Sequence, residues 1–516
     1  MTANDLIAAF ETLADAPDGV KRVRELVLQL AVRGKLVPQN ATDDPAEELL
    51  LAVRRERFEL FRASGRQPAG SLPCELPQGW AVTTFDELGA FVGGKTPSKA
   101  KARYWGGSIP WVSPKDMKTA DIQGSEDHVT EAALREGLAE VPIGAILVVV
   151  RSGILRRTVP VAIARVRCTV NQDLKALCPC PSVKPEYVRL MIMGFERVIL
   201  AELTKIGTTV ESMKFDEFAA QRFPLPPPAE QNRIVARVDE LMGLLDRLEV
   251  ARTARDDVRR AARDAALAAL RDAQDTDAVD AAWGRIAGQM DELFANSEDV
   301  GPLREIILDL GVRGRLVAEC SEVDWTTVKL EDACTHIVDC LHRTPRYTDS
   351  GFPAIRTTDI KPGRILWESA RKVPESEFLE QTRRLLPQPG DVFYAREGNW
   401  GDAAVVPDGV PMCLSQRTMQ FRLSKLVDPF FFAWLLNSPG MRRRIGTRTV
   451  GMTVPHVNIG DLRKLILRIP PLADQHRIVA KVDALMEICD DLEARLMAAR
   501  ILQGQFAAAA VHHLDV

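Results

Sequence analysis

Two stretches of the chain carry the same apolar rhythm. After Pro228, the residues Ile234, Val238, Leu241, Leu245 and Leu248 recur at steps of 4, 3, 4 and 3, and Ile478, Val482, Leu485, Cys489 and Leu492 step identically. That spacing keeps the apolar side chains on one stripe of a helix and predicts two long helices, each with a heptad-like seam. Both helices start at prolines, whose fixed φ and missing N–H suit a first turn and not an interior. Elsewhere the pattern changes. "GAILVVVRSG" (from Gly144) and "GDVFYAREG" (from Gly390) are short apolar runs ended by Arg and Gly, as in a strand entering a loop. "PEYVRLMIMGFERVILAEL" and "DPFFFAWLLNSPGMRRRI" read as helices.

The matching seams belong to an internal repeat. "PPPAEQNRIVARVDELM" from Pro226 and "PPLADQHRIVAKVDALM" from Pro470 agree at 12 of 17 positions and lie 244 residues apart. Upstream, "SIPWVSPKDM" (from Ser108) pairs with "GFPAIRTTDI" (from Gly351), and "VVRSG" (Val149–Gly153) with "YAREG" (Tyr394–Gly398). "PQGWAVTTFDEL" (from Pro77) pairs more loosely with "EVDWTTVKLEDA" (from Glu322). A further match, "VKRVRELVLQLAVRGKLV" (from Val20) with "VGPLREIILDLGVRGRLV" (from Val300), has an offset of 280. The first copy therefore holds about 36 extra residues between Val37 and Trp80, which read as a helix followed by a linker rich in Pro, Gly and Ser.

The expectation is an α+β chain built as a duplicated two-part module. Two mixed α/β globular halves, residues 76–228 and 323–472, alternate with helical regions at 1–75, 229–322 and 473–516. The two long helices are expected to pack on each other as an antiparallel pair.

Composition bounds the class. A chain of 516 residues exceeds one core. No run of about 18 uncharged apolar residues exists, so no membrane span is expected. The first residues have no basic region followed by a long apolar run, so a secretory signal is not expected. Nine cysteines, an odd number, fit reduced thiols in a cytosol better than a disulfide framework. The formal net charge of −4 argues weakly against nucleic acid, but local charge decides more.

Searches for catalytic motifs come up nearly empty. "GAFVGGKT" (Gly89–Thr96) matches the P-loop pattern and leaves a nucleotide-hydrolysing reading open. A P-loop needs a helix whose N-terminus holds the phosphate, and here Pro97 follows Thr96 at once. The chain has no H-E-x-x-H, no G-x-S-x-G and no cysteine pairs at zinc spacing, and "CPC" at Cys178–Cys180 reads as buried or incidental. The positive signal is basic, polar loops at matching places in both halves. The first has Lys95, Lys99, Lys101, Arg103, Lys115 and Lys118, interleaved with Tyr104, Trp105 and Trp111, and then Arg151, Arg156 and Arg157. The second has Arg343, Arg346, Arg356, Lys361 and Arg364, then Arg396, Asn399 and Trp400, then Arg442, Arg443, Arg444 and Arg448. Lys and Arg neutralise phosphates, and Arg, Asn and Gln read base edges. Solvated surface charge is the alternative for any single run, and an inert interaction scaffold is the alternative for the whole chain.

"LPQGWAVTTFDELGAFVGGKTPSKAKARYWGGSIPWVSPKDM" followed by "PLPPPAEQNRIVARVDELM" resembles the specificity subunits of type I restriction–modification systems, over nearly the whole chain. The second copy departs from that pattern, lacking the Gly-Gly and Tyr-Trp pairs. The resemblance implies two target recognition domains, each binding one half of a bipartite double-stranded DNA site, with the helices as an antiparallel coiled-coil ruler. It implies docking of two methyltransferase subunits, which bring S-adenosylmethionine, and of restriction/translocase subunits, which use ATP and magnesium. The chain itself would hold no cofactor, catalyse nothing and act in the cytoplasm. The residues expected on DNA are Lys95, Thr96, Lys99, Arg103, Arg151 and Arg156 in the first half. In the second they are Arg343, Arg346, Arg356, Arg396, Asn399 and Arg448. Gln172 and Gln416, at matching places in "VNQDL" and "LSQRT", read as structural amides.

Overall fold

A computed structural model describes residues 18–61, 66–205, 207, 210–318, 320, 322–341, 343–397, 400–446, 449–450 and 456–512. The chain divides into two compact units, Met1–Thr253 with Leu502–Val516, and Ala254–Ile501. Each long helix is thus split between the units: Pro228–Arg271 runs for 44 residues and Leu472–His512 for 41. The fold is α+β.

In the first unit a five-stranded sheet has the order Gly89–Gly93, Leu174–Pro179, Ile146–Val149, Val161–Ala164, Asp121–Ile122. A three-stranded sheet sets Trp105–Val112 between Asp127–Val129 and Thr169–Val170, with Trp111 opposite Thr169 in parallel register. The second unit repeats this scheme. Its four-stranded sheet runs Cys334–Asp339, Thr418–Leu423, Val392–Ala395, Ala403–Val405, and Phe352–Ile355 lies between Lys372–Val373 and Cys413–Leu414. The apolar runs that read as strands are the fully buried Ile146–Val149 and Val392–Ala395.

The incoming and outgoing strands of each half pair with each other. Ala81–Thr84 lies antiparallel to Arg222–Leu225, and Thr326–Lys329 to Ile466–Ile469. The outgoing strand ends at prolines, and the chain turns straight into a long helix. A buried glutamine secures that turn both times. Gln231 donates through Nε2 to the Pro226 carbonyl at 2.9 Å, and Gln475 to that of Pro470 at 2.8 Å. Pro226 and Pro470 precede the first helical residue, so their carbonyls lie outside the helical ladder, and an amide one turn into the helix satisfies them. The twice-written Pro-Pro…Gln junction therefore has a local cause.

The apolar seams find their partners inside their own units. Ile234, Val238, Leu241 and Leu245 are buried in a core with Val20, Val23, Val27 and Leu30 of the helix Gly19–Val32. Ile478, Val482, Leu485 and Cys489 are buried with Leu303, Ile307 and Leu310 of Val300–Val312. One arginine pins each pair. Arg24 reaches Asp246 (2.6 Å) and Glu249 (3.1 Å), and Arg304 reaches Asp490 (2.5 Å) and Glu493 (2.8 Å). The repeat at offset 280 is thus the partner of the repeat at offset 244. The helix Gly19–Val32 also packs on Pro185–Gly194, where a Cβ on Gly194 would meet the Val32 side chain at 2.5 Å.

The two apolar stretches that read as helices are helical, each as two short pieces. The first forms Pro185–Gly194 and Glu196–Glu202, and the second Pro429–Asn437 and Pro439–Gly446, where Pro439 cannot donate to a continuing helix. The extra residues of the first copy form the helix Ala46–Phe61.

Candidate nucleic-acid interface

The loop after the strand Gly89–Gly93 carries most of the first half's candidates. Its glycines have a packing reason. A Cβ on Gly89 would meet the Cys178 carbonyl oxygen at 2.2 Å, and one on Gly94 the Asn171 carbonyl oxygen at 1.8 Å. The glycines let two backbones touch, and no phosphate cradle forms. The segment Gly89–Gly93 is a strand, and nothing helical follows Thr96 until the three-residue turn Ala102–Tyr104. The alternative P-loop reading finds no support: the sequence pattern is met, but the strand–loop–helix geometry it requires is not.

The Lys95 N–H donates to the Val170 carbonyl at 3.1 Å, and the Trp111 indole N–H donates to the Lys95 carbonyl at 3.1 Å. The side chain of Lys95 is exposed, as is that of Lys99. The Thr96 hydroxyl donates to Gln172 Oε1. The Arg151 N–H, at the end of the strand Ile146–Val149, donates to the Asp173 carbonyl at 3.2 Å. The fold therefore brings Lys95, Thr96, Gln172 and Arg151 together around one turn. Lys99 and Arg103 sit further along the loop. Arg103 is ion-paired with Glu136, which also takes the Tyr104 hydroxyl, and Lys101 lies 3.8 Å from the same carboxylate. The Tyr104 hydroxyl first, then Arg103 and Lys101, hold the Glu136 carboxyl below its usual range. Arg156 is paired with the buried Glu211, whose carboxyl that contact holds low.

The second half builds the same frame. Gln416 Nε2 donates to Thr344 Oγ1 at 2.7 Å, and the Arg396 N–H donates to the Arg417 carbonyl at 2.9 Å. Arg343 pairs with Glu377 at 2.7 Å, and Arg346 is exposed. Arg356 grips the buried Asp359 with two nitrogens, at 2.9 and 3.0 Å. The Arg396 side chain is buried, 2.8 Å from the equally buried Asp339. Its backbone lies at the turn, but its guanidinium is committed to the core. Asn399 and Arg448 lie outside the described residues.

Sequence reasoning passed over Arg417. It follows Gln416 directly, has a left-handed φ of 66°, and presents a side chain 60% exposed and 3.0 Å from Glu397. Comparing the two copies concealed it, because the matching residue in the first half is the acid Asp173. Among the described residues no cluster of His, Cys, Asp or Glu could hold a metal ion. Cys178 and Cys180 are buried, and burial raises the Cys178 thiol to about 11. Among the described residues no helix is long and apolar enough to cross a membrane.

Two frames of the same topology, each with basic side chains around one turn, define a duplicated recognition chain. The family model described as "Type I restriction modification DNA specificity domain" matches residues 77–254 and 322–499. The chain belongs to this family and carries its domain twice. It is a DNA-recognition component of a type I restriction–modification system and not one of the catalytic subunits. It is similar to the type I restriction enzyme EcoEI specificity subunit of Escherichia coli, at 24% identity over 94% of this chain and 92% of that one. It is also similar to the EcoR124I/EcoR124II specificity subunit of Escherichia coli, at 40% identity over 30% of this chain and 39% of that one. The solved HsdS subunit from Thermoanaerobacter tengcongensis is 16% identical, with a TM-score of 0.42 over 84% of this chain and 98% of that one.

Proposed function

We propose that each globular half, residues 76–228 and 323–472, is a target recognition domain that reads one half of a bipartite double-stranded DNA site. The observation that carries this reading is the frame built twice with different loop chemistry. The contacts Thr96–Gln172 and Thr344–Gln416 recur, while Lys95, Ser98 and Asp173 give way to Arg343, Arg346 and Arg417. One scaffold with two sets of polar loops suits a target whose halves differ. Lys95, Thr96, Lys99, Arg103, Arg151 and Arg156, with Arg343, Arg346, Arg356, Asn399 and Arg448, supply phosphate-clamping or base-reading groups. The exposed members do so directly. Arg396 contributes by shaping the turn.

The long helices act as a ruler, paired antiparallel beyond the portions spent on their own cores. At ~1.5 Å per residue, helices of this length reach ~60–65 Å, about two turns of B-DNA at ~34 Å each. Two methyltransferase subunits dock on them, bring S-adenosylmethionine and methylate an adenine flipped into their own pocket, so this chain positions and specifies. Restriction/translocase subunits, using ATP and magnesium, complete a complex that works in the cytoplasm.

The test is the adenine methylome of an unmethylated host that expresses this chain with its methyltransferase. The expected result is one motif made of two short half-sites around a fixed gap. A continuous motif would remove one of the two readers. No methylation from a folded, assembled complex would overturn the reading.

A further inference from the structure

One side-chain contact is repeated in both halves although the residues around it are exchanged. Thr96 donates to Gln172, and Gln416 donates to Thr344 at 2.7 Å. Each threonine precedes a proline, which holds it in extended backbone and limits where the hydroxyl aims. Gln172 is exposed and Gln416 half-buried, each in a turn whose preceding residue, Asn171 or Ser415, is buried. The turn is tied from its other side as well, by the backbone N–H of Arg151 to Asp173 and of Arg396 to Arg417. The first loop has a further tie, from the Lys95 N–H to the Val170 carbonyl. The second has one from Tyr347 to Ser415 at 2.9 Å.

A side-chain hydrogen bond that solvent can reach, as both of these are, adds little to stability, because water competes for the groups and ordering them costs entropy. Its recurrence needs another cause. We infer that Thr96–Gln172 and Thr344–Gln416 are latches. Gln172 and Gln416 are positioning residues that hold the Thr–Pro loop, and with it Lys95 or Arg343, in register with the turn at the end of the arginine-bearing strand. Each latch governs recognition of one half-site and leaves the other untouched. The inference rests on the DNA-reading assignment above. Without the latch, the loop must be ordered by the DNA itself, and that cost is charged most heavily where fit discriminates one base from another.

The experiment uses the full chain assembled with its methyltransferase subunits. Methylation rates are compared on three duplexes: the cognate site, one with a base changed in the first half-site, and one with a base changed in the second. Thr96→Val and Gln172→Ala each lower discrimination at one half-site about 3–10-fold, the range one hydrogen bond supports. Discrimination at the other half-site holds within about 2-fold. The double variant is no worse than either single one, because both remove the same contact. Thr96→Ser restores most of what Thr96→Val loses. Thr344→Val and Gln416→Ala act in mirror image on the other half-site. Equal losses at both half-sites, or a lower melting temperature of the complex, would overturn the latch in favour of a general structural role. Multiplying losses in the double variant would overturn it in favour of two separate DNA contacts. No change at all would show the bond to be idle. A parent complex without sequence discrimination would sink the DNA-reading assignment itself, and the latch with it.

Discussion

At the scale of single residues, the fold sorts the basic side chains by what already holds them. Lys95 is exposed beside the shared turn, whereas Arg396 is buried against Asp339. The two should therefore fail differently. Lys95→Ala is expected to weaken binding to all DNA sequences and to lower the slope of log affinity against log salt by about 0.9, the value of one phosphate contact. Titrations at several salt concentrations measure this, and an unchanged slope would remove Lys95 from the interface. Arg396→Ala strips the cation from a buried carboxylate and is expected to cost about 3 kcal/mol or more of stability. Denaturant melts of the second half check that, and a melt like the parent's would show that the pair is not part of the core. The cationic loops were legible in the sequence because both copies place them at matching positions. Their partners were not. Glu136 lies 33 residues from Arg103, and Asp339 57 residues from Arg396. Nothing local marks which acid a folded loop will meet, so the sequence offered Arg396 as a free reader.

At the scale of elements, the two long helices show how far a periodic pattern reaches. The 4-3-4-3 spacing correctly announces helices with one apolar stripe, but a stripe does not name the surface that covers it. Here the cover is the shorter repeated helix in the same unit. The hint was the parallel repeat at offset 280, which has an apolar stripe of its own. The helix starts carry a testable charge. Glu230, in the first turn of Pro228–Arg271, is buried and accepts from the Trp80 indole at 3.0 Å. Burial, more than any neighbour, raises its carboxyl above the usual 4.5. A carboxyl raised in the folded state favours folding while it stays protonated. That contribution is complete below the ordinary carboxylate range and is lost as pH rises through the raised value. Glu230→Gln keeps an oxygen for Trp80 and carries no charge. It is expected to be more stable than the parent at pH 8 and to lose that advantage near pH 4. Melting temperatures across this range decide it, and a constant offset would mean that Glu230 does not titrate with folding. The opposite test is Gln231→Ala, which leaves the Pro226 carbonyl without its amide and should cost about 1–3 kcal/mol.

At the scale of the whole molecule, the chain is one design written twice, with a shared frame, different loops, and an extra helix, Ala46–Phe61, in the first copy. Its net charge of −4 is no obstacle, because what a phosphate meets is the local field of a basic loop and not the sum over 516 residues. The repeat was the most legible feature of the sequence, since an offset held over the frame needs no knowledge of contacts. The division into compact units was less legible, because each boundary falls inside a continuous helix, at Thr253/Ala254 and Ile501/Leu502. This architecture makes a prediction about exchange. The incoming strand Ala81–Thr84 pairs with the outgoing strand Arg222–Leu225, so residues 76–228 begin and end at the same place in the fold and form a cassette. Replacing that segment with its counterpart from another specificity subunit should change one half-site of the methylated motif. The second half-site should stay as it was, because the second frame ties its own loop and turn through Thr344 and Gln416. The gap between the half-sites should also stay, because the long helices lie outside the exchanged segment. Methylome sequencing of the exchanged strain reads all three quantities at once. A change in both half-sites would mean that the halves do not read independently, and an altered gap would mean that the globular halves, and not the helices, set the distance.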